Sequence, residues 1–273
     1  MRCAGLFLKL TALAGSGLIF LQSAHGQAAT NQFSFGDFLL APVRVHLLSA
    51  KDQPAIQTTL TEKDIVRILG KMNGVWAQAG LHFYLESLVR EEANVQDISR
   101  QPGEPAARRW LLGLRPSQSK ATNALHIYYL KQMSVNGIYF PEAIFVKDTA
   151  SLRKVEGGID EPLPRVSSHE LGHAFTLPHR QDTTNLMASG TTGTWLNGEE
   201  IEPVRTAAQR LSWIEGAPGL MEKANALFRE NKVQEAAALY SRLATIPLKA
   251  DQVELAKRRA ALATRTDPGS TLK

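Results

Sequence analysis

The sequence predicts an α+β fold, a sheet-bearing domain followed by a short all-α segment, and three observations predict it. A strand, an amphipathic helix and a second strand succeed one another between residues 42 and 89, the pattern of a right-handed crossover onto a sheet. More strand-like runs follow, and then a helix with two histidines one turn apart. From Leu220 onward the spacing of leucine, alanine and tyrosine is helical. The chain has 273 residues, 44% hydrophobic and 21% charged, which suits one sizeable domain with a smaller one beside it. Collagenous, disordered and polytopic membrane classes are excluded by that composition.

The first residues, MRCAGLFLKLTALAGSGLIFLQSAHGQAA, carry Arg2 and Lys9, an apolar run from Leu10 to Leu21, and small residues suited to cleavage near Gly26 or Ala28. Residues 1–28 are therefore expected to be a secretory signal peptide. An uncut anchor is the alternative, but the run is about a dozen residues long where a spanning helix needs about twenty. The expected location is periplasmic or extracellular, with no stable membrane span after removal. Cys3, the one cysteine, lies in that leader, so the mature chain is expected to have no disulfide and no thiolate nucleophile or metal ligand. Loss of Arg2 and Lys9 takes the formal charge from +5 to +3. The remaining basic residues are scattered apart from short clusters such as RR at 108 and KRR at 257, which read as solvated helix faces and give only a weak nucleic-acid signal, so no nucleic-acid partner is expected.

In chain order, PVRVHLLS at 42–49 is rich in branched residues and alternates, as a strand does. In LTEKDIVRILGKMNGVWAQAG at 60–80, Thr61 precedes Asp64 by three residues, and Ile65, Ile68, Leu69, Met72, Val75 and Trp76 share one helical face up to Gly80. LHFYLESLV at 81–89 returns as a strand. A polar stretch, a short helix near Arg108–Leu114 and the loop RPSQSKATN form an excursion with no chemistry assigned. ALHIYYL at 124–130, GIYF at 137–140 and AIFVKD at 143–148 read as strands, and Pro141 places one of the last two on an edge. Asn197, with Glu200 three residues on, opens a helix with a capping box. Gly216, Pro218 and Gly219 mark a boundary, which divides the chain into a domain at 29–215 and a segment at 216–273.

The chemistry-bearing stretch is SSHELGHAFTLPHRQDTTNLMAS at 167–189. Histidines at i and i+4 of a helix stand about 40° apart around the axis and about 6 Å apart along it, so both rings can reach one ion. His169 and His173 meet that condition. A catalytic zinc site uses three protein ligands, so a third must come from beyond this turn. His179 is the candidate, because Pro178 is hard to keep in a continuing helix and the chain should turn there. Glu170, about 100° around the helix from His169, can touch a metal-bound water without ligating. The ion would lower that water's pKa toward 7 and polarise a carbonyl, with Glu170 taking the proton and delivering it to a leaving amine.

HELGHAFTLPH resembles the HExxHxxGxxH signature of the metzincin metallopeptidases, and NLM at 185–187 resembles their Met-turn. The resemblance implies one zinc ion held by His169, His173 and His179, Glu170 as general base, and Met187 as an apolar floor under the ligands. It also implies a metzincin-like catalytic domain with a twisted mixed sheet, an active-site helix, a Met-turn and a C-terminal helix. The closing segment after Asn197 is most similar to the matrixin branch. Ser189 stands where astacin-like and serralysin-like members have tyrosine. Thr176 replaces the signature glycine, and a β-branched residue there is strained if the turn needs φ > 0. With Cys3 in the expected leader, no cysteine is expected in the mature chain for a matrixin-type cysteine switch.

Leu220, Ala224, Leu227, Ala236, Tyr240 and Leu243 resemble a single tetratricopeptide helical hairpin, with a further helix from about Asp251. Such repeats need three or more copies for a common core, so this segment either caps the rest of the chain or offers a groove to a protein partner. His46, His82 and His126, all in strands, read as packing residues, and Asp182 as a turn residue. The expected activity is a zinc endopeptidase acting on extended peptides or proteins. A zinc-stabilised, non-catalytic binding protein that recruits a partner through the helical segment is the alternative, and hydrolysis of a non-peptide amide is a third reading.

Overall fold

A computed structural model describes residues 33–95, 106–116 and 122–265 of the chain. The expected signal peptide at 1–28, with Cys3, lies outside the described residues, as do 96–105 of the polar stretch and 117–121 of the loop that follows it. The described residues belong to one compact unit, Asn31–Lys273. Among them no helix is long and apolar enough to cross a membrane.

Strand β1 (Leu39–Ser49) pairs in parallel with β2 (Leu81–Glu92) on one side and β3 (Leu125–Leu130) on the other. Strand β5 (Ala143–Lys147) continues the parallel set beside β3, and β4 (Gly137–Phe140) closes that edge antiparallel to β5. The order is therefore β2-β1-β3-β5-β4, a mixed sheet in agreement with the α+β expectation. A two-residue strand, β6 (Glu215–Gly216), pairs antiparallel with Leu39 and Leu40 of β1. No periodicity could announce so short a strand. A register shift between Val43 and Arg44 marks a bulge where β2 passes β1.

Helix α1 (Glu62–Trp76) forms where the sequence predicts it. Thr61 Oγ1 accepts from the Asp64 amide at 3.3 Å while the Asp64 carboxylate accepts from the Thr61 amide at 2.9 Å, which satisfies two otherwise orphaned donors. A 3-10 turn over Ala77–Ala79 and the left-handed Gly80 (φ 62°) end it. Helix α2 (Ala106–Gly113) covers the opposite face of the sheet, where Leu111 and Leu114 meet Tyr128 and Phe145. Helix α3 (Pro162–Ala174) carries the first two histidines, and α4 (Gly198–Gln209) starts at the expected Asn197–Glu200 box.

One core binds α1, α3 and α4 to a single face of the sheet through residues such as Val43, Val45, Leu47, Ile68, Met72, Val166, Leu171 and Val204. Within it Trp76 meets both Phe83 and Phe175 edge-on at 5.9 Å. All three rings are fully buried, each contributing about 1.5–3 kcal/mol or more by area alone. Because Phe175 caps α3, this cluster fixes where the histidine-bearing helix stops.

The chain after Gly216 forms helices α5 (Ala217–Arg229), α6 (Val233–Ala244) and α7 (Asp251–Arg265). Pro218 and Gly219, expected to mark a boundary, both lie in the first turn of α5. Proline fits there because the first-turn N–H groups have no helical acceptor. Leu220, Met221, Ala224, Tyr240 and Leu243 share a buried cluster with Phe35, Phe38 and Leu40, which come from the start of the sheet domain. His82 Nε2 adds a 2.8 Å bond to Thr245 Oγ1 from β2 to the end of α6.

Candidate metal centre

Helix α3 begins after Glu161 with prolines in its first turn and packs along the sheet, with Ser167 Oγ held at 2.8 Å from the buried Tyr129 hydroxyl. His169 and His173 thereby face the same way. Past Ala174 the chain leaves the helix in a Schellman turn, in which the Leu177 amide donates to Gly172 O at 2.9 Å and the Thr176 amide to His173 O at 3.0 Å. Thr176 takes the left-handed position at φ 72°. The sequence places the turn at Pro178; the structure places it two residues earlier, at the residue that replaces the signature glycine. A β-branched side chain at that φ costs roughly 1–2 kcal/mol relative to glycine.

That turn brings His179 back to the helix. The Nε2 atoms of His169 and His179 each lie 3.2 Å from Nε2 of His173, and one ligand atom from each of the three rings falls within 4.8 Å of the others. On the far side of each ring, His169 Nδ1 donates to Leu186 O and His173 Nδ1 to Leu177 O, both at 2.8 Å. Those carbonyls set the tautomers, so the Nε2 atoms of His169 and His173 present bare lone pairs to each other. Two facing lone pairs repel unless a cation lies between them. Ligands at 2.0–2.1 Å in a tetrahedral site stand about 3.3 Å apart, so the spacing fits a metal ion. Burial, reinforced by the Arg165 charge, pushes His169 down to a pKa of about 3, and burial lowers His173 as well. Both rings are neutral near pH 7, the form that ligates.

Glu170 is 6% exposed. Burial raises its pKa to about 8, against the opposing pull of the Arg165 charge and a hydrogen bond from the Tyr139 amide; a dication at the histidines would draw it back down. Strand β4 reaches this carboxylate because Gly137 has no side chain: a Cβ there would stand 2.6 Å from both Glu170 Oε1 and Val166 Cγ1. Gly172 has a similar role, since a Cβ at that position would overlap Met187 Sδ. Met187 is fully buried beneath the helix.

The loop that carries Met187 is held by residues to which the sequence assigns at most a local role. Glu200, fully buried, accepts from Arg180 Nε at 2.8 Å, Asn185 Nδ2 at 2.8 Å and the Asn197 amide at 2.9 Å. Asn185 Oδ1 in turn accepts from the Met187 amide at 2.6 Å. Arg165, one helical turn before His169, donates to the Gly193 and Ala188 carbonyls. The four-residue spacing to His169 was its one visible signal. Asp182 is a turn residue as expected, accepting from the Thr184 amide and hydroxyl at 2.9 Å. His46, His82 and His126 lie in strands away from the three-histidine group. His46 bonds Glu91 at 2.6 Å and His126 at 2.9 Å on the opposite sheet face.

The histidines open onto a cleft of about 670 Å³, walled by β4 on one side and by Thr176–His179, Ser189 and Gly190 on the other. Among the described residues strand β4 is paired with β5 alone, and its Gly137, Ile138 and Tyr139 line the cleft. A cleft of this size with three imidazoles, one carboxylate and an open strand edge can hold an extended chain beside a metal ion.

No protein-family model and no curated protein matches this chain. Among solved structures it is similar to a chain of a chaperone–substrate complex, with 11% identity and a TM-score of 0.42 over 64% of this chain and 35% of that one. It thus spans about a third of that relative. It is also similar to archaemetzincin from Methanopyrus kandleri, with 14% identity and a TM-score of 0.41 over 64% of this chain and 98% of that one. A zinc-dependent peptidase from Methanocorpusculum labreanum strain Z shows 12% identity and a TM-score of 0.31 over 59% of this chain and 92% of that one. The chemistry rests on the side chains described above.

Proposed function

We propose that the chain is an exported zinc endopeptidase of the metzincin kind, matrixin-like in its closing segment, that hydrolyses peptide bonds in chains bound in extended form. The observation that carries this reading is the convergence of three imidazole nitrogens, two with their tautomers set by carbonyls, with a buried carboxylate in the lining of the same cleft.

A zinc ion held by His169, His173 and His179 supplies Lewis acidity, polarising a carbonyl and easing loss of a proton from water. Glu170 takes that proton on its carboxylate and passes it to the nitrogen of the departing amine. The Tyr139 amide holds the carboxylate toward β4, and the free edge of β4 offers main-chain groups to an extended peptide. Burial of Glu170 keeps bulk water from competing for the proton. A purely structural zinc site has no use for such a base, which sets this reading above a non-catalytic binding protein.

The test uses purified, zinc-loaded protein on a diverse peptide library, with and without chelator, beside Glu170→Ala. Chelator-sensitive cleavage that disappears in Glu170→Ala is expected. Zinc-loaded protein that cleaves nothing across the library would contradict the reading and favour the binding alternative.

A further inference from the structure

Five described residues have φ in the left-handed region: Gly80, Gly157, Gly190, Asn231 and Thr176. Glycine is at ease there and asparagine tolerates it; a β-branched residue does not. Thr176 is therefore the one of the five whose side chain opposes its own backbone. Its place in the Schellman turn needs only backbone groups, since both closing bonds run from the Thr176 and Leu177 amides. The side chain contributes nothing to that turn. It is exposed, and among the described residues its hydroxyl has no hydrogen-bond partner. It stands in the cleft wall with His173, Leu177, Pro178 and His179, while Gly190, also left-handed, takes the strain-free option in the same cleft.

Strain of this sort at a cleft wall points to function. We infer that Thr176 is a specificity-determining residue that touches bound substrate, its hydroxyl exchanging a hydrogen bond with a polar group of the peptide lying along the His173–His179 wall. The inference rests on the peptidase reading. It assigns to this wall a preference for a hydrogen-bonding side chain, serine, threonine, asparagine or glutamine, at one position of the peptide.

Three variants separate the hydroxyl from the strain. Thr176→Gly removes both, Thr176→Val removes the hydroxyl and keeps the branch, and Thr176→Ser keeps the hydroxyl. Thr176→Gly should raise the thermal midpoint by about 2–4 °C and yet raise KM roughly two- to tenfold, the worth of one hydrogen bond, with kcat little changed. It should also flatten the preference at one position of a randomised octapeptide library. Thr176→Val should lose the same preference, and Thr176→Ser should keep it. Wild-type KM and an unaltered library profile in both Thr176→Gly and Thr176→Val would overturn the assignment, even with the thermal gain present. Retention of the same library on zinc-loaded Glu170→Gln protein, with and without each substitution, reads recognition without turnover. If the wild type retains peptides but cleaves none, the hydrolytic reading fails while Thr176 is still judged by lost retention. Failure to cleave or retain any peptide overturns both.

Discussion

Replacing Glu200 with alanine removes one carboxylate that three donors share, and the structure sets the size of the effect. Asn185 Nδ2 is buried and finds no other acceptor, a loss of about 1–3 kcal/mol. The Asn197 amide loses its half of the capping box, about 1 kcal/mol. The Arg180 side chain is 37% exposed and recovers water, so its 2.8 Å ion pair adds little. The total is about 3 kcal/mol, and at roughly 2–4 °C per kcal/mol for a domain of this size the thermal midpoint should fall by about 6–12 °C. A second effect follows from what Asn185 does next. It holds the Met187 amide, and the neighbouring Leu186 carbonyl orients His169. Loosening this loop should weaken zinc binding about 10- to 100-fold, as loss of an outer-sphere partner does. Thermal scans of metal-free protein and zinc titration against a competing chelator measure the two effects. A midpoint within about 2 °C of wild type, together with unchanged zinc affinity, would refute the role given to Glu200.

Acid sensitivity and the C-terminal helices supply two further tests. His82 is fully buried, and burial lowers its pKa to about 4 from an ordinary 6.5. The unfolded chain therefore takes up a proton that the folded one refuses, so this stability is complete above about pH 6.5 and is lost as pH falls toward 4, by about 3 kcal/mol in all. Urea midpoints of metal-free protein between pH 7.5 and 4 should fall less steeply in His82→Gln, and an unchanged slope would contradict the assignment. Ala224 has no exposure and sits in the cluster shared with Phe38 and Leu40. Ala224→Arg should destabilise the whole chain in one cooperative transition, whereas local unfolding with the rest intact would mean that α5–α7 are independent of the sheet domain.

Much of the fold was legible because its signals are local. The Thr61–Asp64 box and the spacing from Ile65 to Trp76 delimit α1, and branched, alternating runs mark β1, β2 and β3. The histidine spacing at 169, 173 and 179 was legible for the same reason, since two of the three positions are set by helix geometry alone. What was hidden depends on distant partners. The pairing of Glu215–Gly216 with β1 has no pattern of its own, and the docking of α5–α7 on Phe35, Phe38 and Leu40 joins residues about 180 positions apart, a contact that helical periodicity does not encode. At the end of α3 the sequence offers two signals, Pro178 as a helix stop and Thr176 in the place of the signature glycine, and the structure turns at Thr176. In the sequence Glu200 is legible only as the capping partner of Asn197, and its burial with Arg180 and Asn185 as partners emerges only when the loop folds over it.

Zinc K-edge X-ray absorption on the purified protein tests the central claim most directly. The account predicts one ion per chain with three imidazole nitrogens and one further light scatterer at about 2.0–2.1 Å, reduced in occupancy by His179→Ala as much as by His169→Ala. An ion bound without imidazole scattering, or full occupancy retained in both variants, would contradict it.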